Sequence, residues 1–208
     1  MPKKVGISMR ISLTLLLSFW ALKGLASLQV GDVILQPLNC RLCRLIEAQE
    51  QSTFSHMSVV IKTTPQVLVA EAWGQVRMVP VEDFIKKGDL TRAHSVVRLK
   101  ERKKMNLELA MKQWLGYPYD DQFLWNNVDE LGREPVYCSE FVTKLLNPFL
   151  VNKIPTKYMD FSVNREAWWT YFHGDVPDGQ PGNSPGDFAR SPLFETVGAY
   201  KDGAWIWN

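Results

Sequence analysis

The segment YCSEFVTKLL, residues 137–146, gives the strongest indication of the fold. Its apolar residues recur at the spacing of one helix face: Phe141, Val142, Leu145 and Leu146. The dipeptide Asn147-Pro148 ends the helix, because proline disfavours the helical conformation of the residue before it. Cys138 falls in the first turn, where unpaired N–H groups and the helix dipole favour a thiolate over a thiol. We therefore expect an amphipathic helix that begins with an activated cysteine.

The rest of the chain predicts a sheet whose strands mostly precede this helix. Short β-branched or apolar runs bounded by turn formers indicate strands at residues 30–35, 57–61, 67–73, 76–79 and 95–99. Apolar residues at helical spacing indicate helices at residues 41–49, 81–87 and 103–115. The sequence contains neither an internal repeat nor a linker. We expect residues 27–208 to form one α+β domain, in which an antiparallel sheet packs on helices.

The C-terminal part of the chain is rich in turn formers. Residues 174–192 contain four Gly and four Pro, which predicts a long surface loop. Residues 193–200 are then expected to return as an edge strand. The aromatic residues that precede the loop are expected to be core, with a substrate platform as the alternative: Trp168, Trp169 and Tyr171.

Composition and charge argue against nucleic acid as a partner. The 208 residues include 24 Lys and Arg against 22 Asp and Glu, a net charge of +2. That balance lacks the basic excess typical of DNA- and RNA-binding proteins. Apolar residues make up 46% and charged residues 22% of the chain, which excludes a disordered protein and predicts a buried core.

Residues 1–26 predict a secretory signal peptide. Lys3, Lys4 and Arg10 precede an apolar run of 12 residues at 11–22, and a cleavage site follows at Ala26. The run is shorter than the roughly 20 residues that cross a bilayer as a helix. Cleavage leaves 182 residues with 20 basic and 22 acidic side chains. We expect a periplasmic or extracellular protein; if uncleaved, this segment is its only predicted contact with a membrane.

The chain contains three cysteines, and the predicted export of the protein affects their interpretation. Cys40 and Cys43 have the Cys-x-x-Cys spacing of a redox pair, half of a metal site, a local disulfide or two packed small residues. An oxidising compartment favours the disulfide. Neither a thioredoxin-like context nor two further metal ligands are evident around this pair. Cys138 is then the unpaired thiol.

A cysteine nucleophile needs a base, and the base needs an acceptor for its second ring nitrogen. His56 begins one β-rich run and Glu71 lies in the next, so that adjacent antiparallel strands would bring them side by side. Taken singly, each residue has an ordinary interpretation as a buried hydrophobe or a surface group. His94 and His173 are expected to be surface residues. Together Cys138, His56 and Glu71 form a candidate triad.

Five short motifs in order resemble a known family. They are Gly31-Asp32, Ser55-His56, Glu71-Ala72, residues 116–120 (GYPYD) and residues 137–140 (YCSE). Together they resemble the permuted papain-like amidases of the YaeF/YiiX family, which are distant relatives of NlpC-type cell-wall peptidases and of lecithin retinol acyltransferase-like proteins. The resemblance implies a circularly permuted papain-like fold, in which the base precedes the nucleophile along the chain.

The resemblance also implies a role for each matching residue. Cys138 is expected to be the nucleophile, His56 the base and Glu71 the residue that orients His56. Tyr119 and Asp32 are expected to contribute to substrate binding, with Asp32 bracing the site or the entry of the chain. The alternatives are a turn at Gly31-Asp32 and simple packing of Tyr119 beside Pro118. The chemistry of a thiolate and an imidazole requires no metal and no cofactor.

Three functions are compatible with these residues. The first is a secreted cysteine amidase or peptidase that acts through a thioester, with cell-wall peptides as the suggested substrates. The second is an acyltransferase or lipid hydrolase that uses the same triad. The third is a binding module that retains the fold without turnover. The expected partner is a peptide or acyl-amide substrate, and the oligomeric state is left open.

Overall fold

A seven-stranded antiparallel sheet organises the part of the chain that the structure describes, residues 27–101 and 104–208 of a computed structural model. In chain order its strands are β1 Val33–Gln36, β2 His56–Lys62, β3 Leu68–Trp73, β4 Gln75–Pro80, β5 His94–Leu99, β8 Phe194–Lys201 and β9 Ala204–Trp207. Across the sheet the order is β4-β3-β2-β1-β5-β8-β9. Two further strands, β6 Lys157–Tyr158 and β7 Pro181–Gly182, pair with each other. The signal peptide predicted at 1–26 lies outside the described residues.

Six α-helices accompany the strands within the described ranges: α1 Arg41–Gln49, α2 Val81–Lys86, α3 Leu107–Met111, α4 Cys138–Leu146, α5 Arg165–Tyr171 and α6 Pro185–Arg190. Of these, α4 packs against β2 and β3, and α2 packs against β3 and β4. The described helices are too short or too polar to cross a membrane.

The core lies on both faces of the sheet, because successive side chains of a strand point to opposite faces. Val33 and Leu35 of β1 pack in one cluster with Phe141 of α4. Ile34, between them, packs in a second cluster with Phe84 of α2. Each fully buried side chain of this kind stabilises the fold by roughly 1.5–3 kcal/mol. This arrangement agrees with the predicted α+β fold of an antiparallel sheet packed on helices.

The segment 174–192 differs from the predicted surface loop, because it contains β7 and α6. Ser184 caps α6 by accepting a hydrogen bond from Asp187 N, and the Asp187 carboxylate accepts one from Ser184 N. This capping box, followed by Pro185 in the first turn, is a helix signal that the high Gly and Pro content obscured. Phe188 then buries α6 in the main core.

Three other predictions need correction. The strand expected at 193–200 is not an edge, since β8 lies between β5 and β9. The helix expected at 103–115 is shorter among the described residues, because Asn106 caps α3 by accepting from Leu109 N and turns follow Met111. His94 is fully buried rather than exposed, because it faces Tyr200 across the pair of β5 and β8.

Candidate active site

Cys138 is positioned by the start of α4. Tyr137 is extended at the N-cap and supplies no side-chain cap, so the first N–H groups of the helix stay available near the thiol. The side chain of Cys138 is a free thiol, and the residue is only 6% exposed. The predicted location of this cysteine in the first turn therefore agrees with the structure.

The protonation state of Cys138 differs from the expected thiolate. Burial raises the pKa of the thiol to about 12, and the backbone groups of Ser139, Met57 and Cys138 itself lower it by less. Desolvation penalises the charged form of a buried thiol. At the start of α4 this penalty outweighs the favourable N–H groups, so burial favours the neutral thiol over the thiolate.

His56 and Glu71 form a buried pair on neighbouring strands. The Nε2 atom of His56 lies 2.9 Å from Oε2 of Glu71. Antiparallel pairing of β2 with β3, with Val59 opposite Ala70, brings the two side chains to the same face. His56 is 3% exposed and Glu71 is fully buried. The side-by-side placement predicted from their spacing is what the structure contains.

Two cations also bind the Glu71 carboxylate. Arg77 donates from Nε and Nη2 to Oε1, at 3.1 and 3.0 Å, and Lys87 Nζ contacts the same oxygen. Burial alone would raise the pKa of Glu71, but His56 and Lys87 together lower it to about 2. The carboxylate is therefore charged throughout the neutral range.

The pKa of His56 is lowered from its usual value. Burial is the main cause, and the positive charges of Lys87 and Arg77 act in the same direction, whereas Glu71 raises the pKa. The imidazole is consequently neutral near pH 7. Because a carboxylate only accepts hydrogen bonds, Nε2 carries the ring hydrogen and Nδ1 keeps its lone pair.

Met57, at the start of β2, lies between Cys138 and His56 in the structure. Met57, which directly follows His56, packs in the same cluster as Cys138, and its backbone acts on the thiol. The ring of His56 contacts Trp73 and Phe84, with centroids 5.2 and 5.7 Å away. No hydrogen bond joins the thiol to the imidazole among the hydrogen bonds of the described residues. The structure thus brings His56 and Glu71 into contact on the α2 face of the sheet, whereas Cys138 packs with Met57 on the α4 face, near the start of β2.

A small aromatic cavity lies beside Cys138. Its volume is about 40 Å³. Apolar and aromatic side chains form most of its wall: Phe123, Tyr137, Met159, Phe161 and Trp168. Tyr119, predicted to contribute to substrate binding, lines the same cavity, and burial raises the pKa of its phenol well above 10. Of the three aromatics expected in the core, Trp168 is buried, whereas Trp169 is 57% exposed.

Asp32 does not line this cavity. Its carboxylate accepts from Arg98 Nε and Nη2 at 2.8 and 2.7 Å, and Gln29 N donates to it at 2.7 Å. These contacts hold the start of β1 against β5. They agree with the interpretation in which Asp32 braces the entry of the chain, whereas its expected contribution to substrate binding stays a prediction.

Arg77 and Lys87 were not predicted from the sequence. A signal for Arg77 was present, because β3 and β4 form a hairpin around Gly74, whose φ is +69°. Residues at equal distances from that turn face each other, and the register pairs Glu71 with Arg77. Lys87 had no comparable signal, since its approach to Glu71 depends on how α2 packs over the sheet.

Comparisons with known proteins agree with this fold. A family model described as permuted papain-like amidase enzyme, YaeF/YiiX, matches residues 27–198. The uncharacterized protein YiiX of Escherichia coli strain K12 is 29% identical over 122 residues, 56% of this chain and 56% of that protein. The match therefore spans little more than half of that relative.

One solved structure shows the fold in three dimensions. The crystal structure of YiiX from Escherichia coli O157:H7, described as a metalloprotein, aligns with a TM-score of 0.71 and 24% identity. The alignment covers 83% of this chain and 98% of that chain. At this identity the likeness concerns the fold.

A metal site can be tested against the residues of this chain. Within residues 27–101 and 104–208, no three His, Cys, Asp or Glu side chains are grouped to hold an ion. Cys40 and Cys43 are joined in a disulfide, which removes the interpretation of this pair as half of a metal site. The residues that the structure describes therefore do not fit a bound metal ion.

Proposed function

The chain belongs to the YaeF/YiiX family of permuted papain-like amidases, and from that membership we propose a cysteine hydrolase that cleaves an amide bond. Cys138 is the proposed nucleophile, His56 the base and Glu71 the residue that orients His56. The observation that carries the proposal is the buried 2.9 Å contact of His56 with Glu71, one residue before Met57, whose backbone acts on Cys138.

The reaction begins from a neutral thiol and a neutral imidazole. As Cys138 Sγ attacks the amide carbonyl, its proton passes to His56 Nδ1, and Glu71 stabilises the imidazolium through Nε2–H. His56 then gives the proton to the departing amine, leaving a thioester on Cys138. Water attacks the thioester with its proton moving to His56, and that proton returns to the thiolate as the acid leaves. No thiol–imidazole hydrogen bond is present among the described residues, so this proton transfer requires the two side chains to approach each other when substrate binds.

Negative charge develops on the carbonyl oxygen during the attack, and hydrogen-bond donors are needed to stabilise it. The backbone N–H of Cys138 at the start of α4 is one proposed donor. Tyr119 is the second, which is supported by its place in the cavity beside Cys138 and by a phenol that stays protonated. This role refines the substrate-binding function expected for Tyr119.

Exported peptides, including those of the cell wall, are the substrates we propose for this site. Export is supported by the basic and apolar segment at residues 1–22, and by the Cys40–Cys43 disulfide, which persists in oxidising compartments. The resemblance to NlpC-type peptidases supports the cell wall as a source of amides.

Hydrolysis or transfer of an acyl lipid is the second candidate function. The supporting observation is the predominantly apolar wall of the cavity, to which Phe123, Met159 and Phe161 contribute. An apolar acyl group would be desolvated there while its carbonyl carbon lies at Cys138. The same three residues would catalyse this reaction, and the acyl group would pass from Cys138 to either water or an amine.

The test is a panel of amide, peptide and acyl-ester substrates, given to the mature wild-type protein and to Cys138→Ala. We expect turnover by the wild type only, with an adduct of acyl mass on Cys138 in intact mass spectra. The double variant Cys40→Ala/Cys43→Ala is the control, and it should form the same adduct. Turnover that survives in Cys138→Ala, or binding without any adduct across the panel, would refute the hydrolase and favour a binding module.

A further inference from the structure

The carboxylate of Glu71 uses its two oxygens differently. Oε2 accepts from His56, while Oε1 accepts from Arg77 and Lys87. A carboxylate that only oriented the imidazole would need one of these contacts. The two cations on the second oxygen are therefore not explained by orientation of the imidazole alone.

Lys87 reaches Glu71 from the end of α2 and also covers the pair from one side. Its Nζ atom lies 4.8 Å from the centre of the Trp73 ring and 5.6 Å from that of Phe84. Both rings contact His56. The lysine side chain is 25% exposed, whereas that of Glu71 is fully buried. Lys87 thus separates a buried ionic contact from solvent.

Arg77 reaches the same oxygen from the neighbouring strand. The register of β3 with β4 places it directly opposite Glu71, and two of its nitrogens lie within 3.1 Å of Oε1. A planar guanidinium in this position restrains the carboxylate more than a single donor would. Arg77 and Lys87 together fix Glu71 from two elements that carry none of the proposed triad.

We propose that Lys87, assisted by Arg77, is a positioning residue that clamps Glu71 and keeps His56 a neutral base in the resting enzyme. The proposal rests on the proposed function only in calling His56 the base. Glu71 contributes one negative charge to this cluster, whereas the clamp contributes two positive ones. Protonation of His56 would place a third positive charge in the same buried cluster.

Asp83 of α2 acts on Lys87 and favours its charged form, and it is not among the groups that shift the pKa of His56. From β1 the neighbouring side chain is the neutral Gln36, which separates His56 from His94. Without the clamp, Glu71 would be opposed by burial alone, and the pKa of His56 would rise, leaving less of the neutral base near and below pH 7.

The experiment is an NMR titration of the imidazoles in wild-type protein, Lys87→Met and Lys87→Arg. The chain contains three histidines, and His56→Gln assigns the signal of interest. The matched control is Lys86→Met, since Lys86 carries the same charge on the same helix, is 73% exposed and pairs with Asp83.

We expect the His56 pKa to rise by about one pH unit or more in Lys87→Met, and to stay near the wild-type value in Lys86→Met and Lys87→Arg. In the kinetics, kcat/KM of Lys87→Met should fall about tenfold at pH 6 and recover at pH 8. A residue needed only for packing would lower activity equally at both pH values.

The titration separates this proposal from the proposed function. If no substrate is turned over, the shift of His56 still tests the clamp. If Lys87→Met and Lys86→Met leave His56 titrating alike, the clamp is refuted even in an active enzyme. Should Lys87→Met fail to fold, Lys87→Gln and Arg77→Gln provide the same comparison, and an unchanged His56 pKa in both would overturn the proposal.

Discussion

The Nε2 atom of His56 lies 2.9 Å from Oε2 of Glu71, and both side chains are buried between β2, β3 and α2. This contact fixes which ring nitrogen carries hydrogen, since a carboxylate cannot donate. It leaves Nδ1 as the nitrogen that can accept a proton from a nucleophile. The relationship between these two residues therefore determines the chemistry available to the imidazole.

Replacing Glu71 should slow catalysis, because His56 would no longer be held in one orientation by a charged acceptor. Glu71→Gln keeps a neutral acceptor and should lose about tenfold in kcat, whereas Glu71→Ala should lose about 100-fold or more. Steady-state kinetics on the best substrate of the panel measure both. Glu108→Gln is the control, because Glu108 is exposed and pairs with Lys62. Equal rates for Glu71→Ala and the wild type would show that His56 needs no orienting partner.

The thiol of the resting enzyme should react slowly with iodoacetamide. With its pKa raised to about 12, Cys138 should be alkylated about 1,000-fold more slowly at pH 7.5 than free cysteine, and the rate should still increase above pH 9. Cys40 and Cys43 form a disulfide, so the adduct mass reports Cys138 alone. A rate that levels off below pH 8, and that His56→Ala lowers, would instead reveal a preformed thiolate–imidazolium pair.

The size of the acyl group should depend on Met159. Because Met159 lines the small cavity beside Cys138, Met159→Ala should enlarge it and shift the preferred acyl chain by about two to three carbons. Its neighbour Tyr158 is 82% exposed, so Tyr158→Ala is the control and should leave the preference unchanged. The two variants are compared by measuring kcat/KM for a series of substrates that differ in the length of the acyl chain. Identical profiles for the two variants would place the acyl group outside this cavity.

Glu140 should make the protein less stable as the pH rises. Burial raises the pKa of Glu140 to about 7 from 4.5, although Lys144 and Asn126 N lower it in part. The native state holds a proton that the unfolded chain has already released, so stability is lost between pH 4.5 and 7.

Glu140→Gln should remove this loss, which amounts to up to about 3 kcal/mol in the free energy of unfolding. Urea unfolding at pH 5 and pH 7.5 measures it. Glu134→Gln is the control, because Glu134 contacts the same Lys144 but is more exposed. If the free energy of unfolding of both variants changes with pH as that of the wild type does, Glu140 is ionised in the native protein at neutral pH.

Much of the fold could be predicted because its signals are local. The helix at 41–49 was predicted with the bounds it has, and α4 begins at Cys138 as expected. The pairing of His56 with Glu71 followed from the spacing of two strands around one turn. The helix α6 was missed because a capping box at Ser184 lay within a segment rich in Gly and Pro.

Local sequence patterns were sufficient for most of the order of strands and helices, for the position of the cysteine at a helix start, and for the neighbouring strands of His56 and Glu71. Periodicity, turn formers and strand spacing act over a few residues, which is why they can be recognised without coordinates. Three-dimensional packing was needed to find that burial raises the pKa of Cys138, that His94 is buried and that Lys87 reaches Glu71. These properties depend on desolvation and on contacts between segments distant in sequence, such as α2 packing over β3 through Phe84.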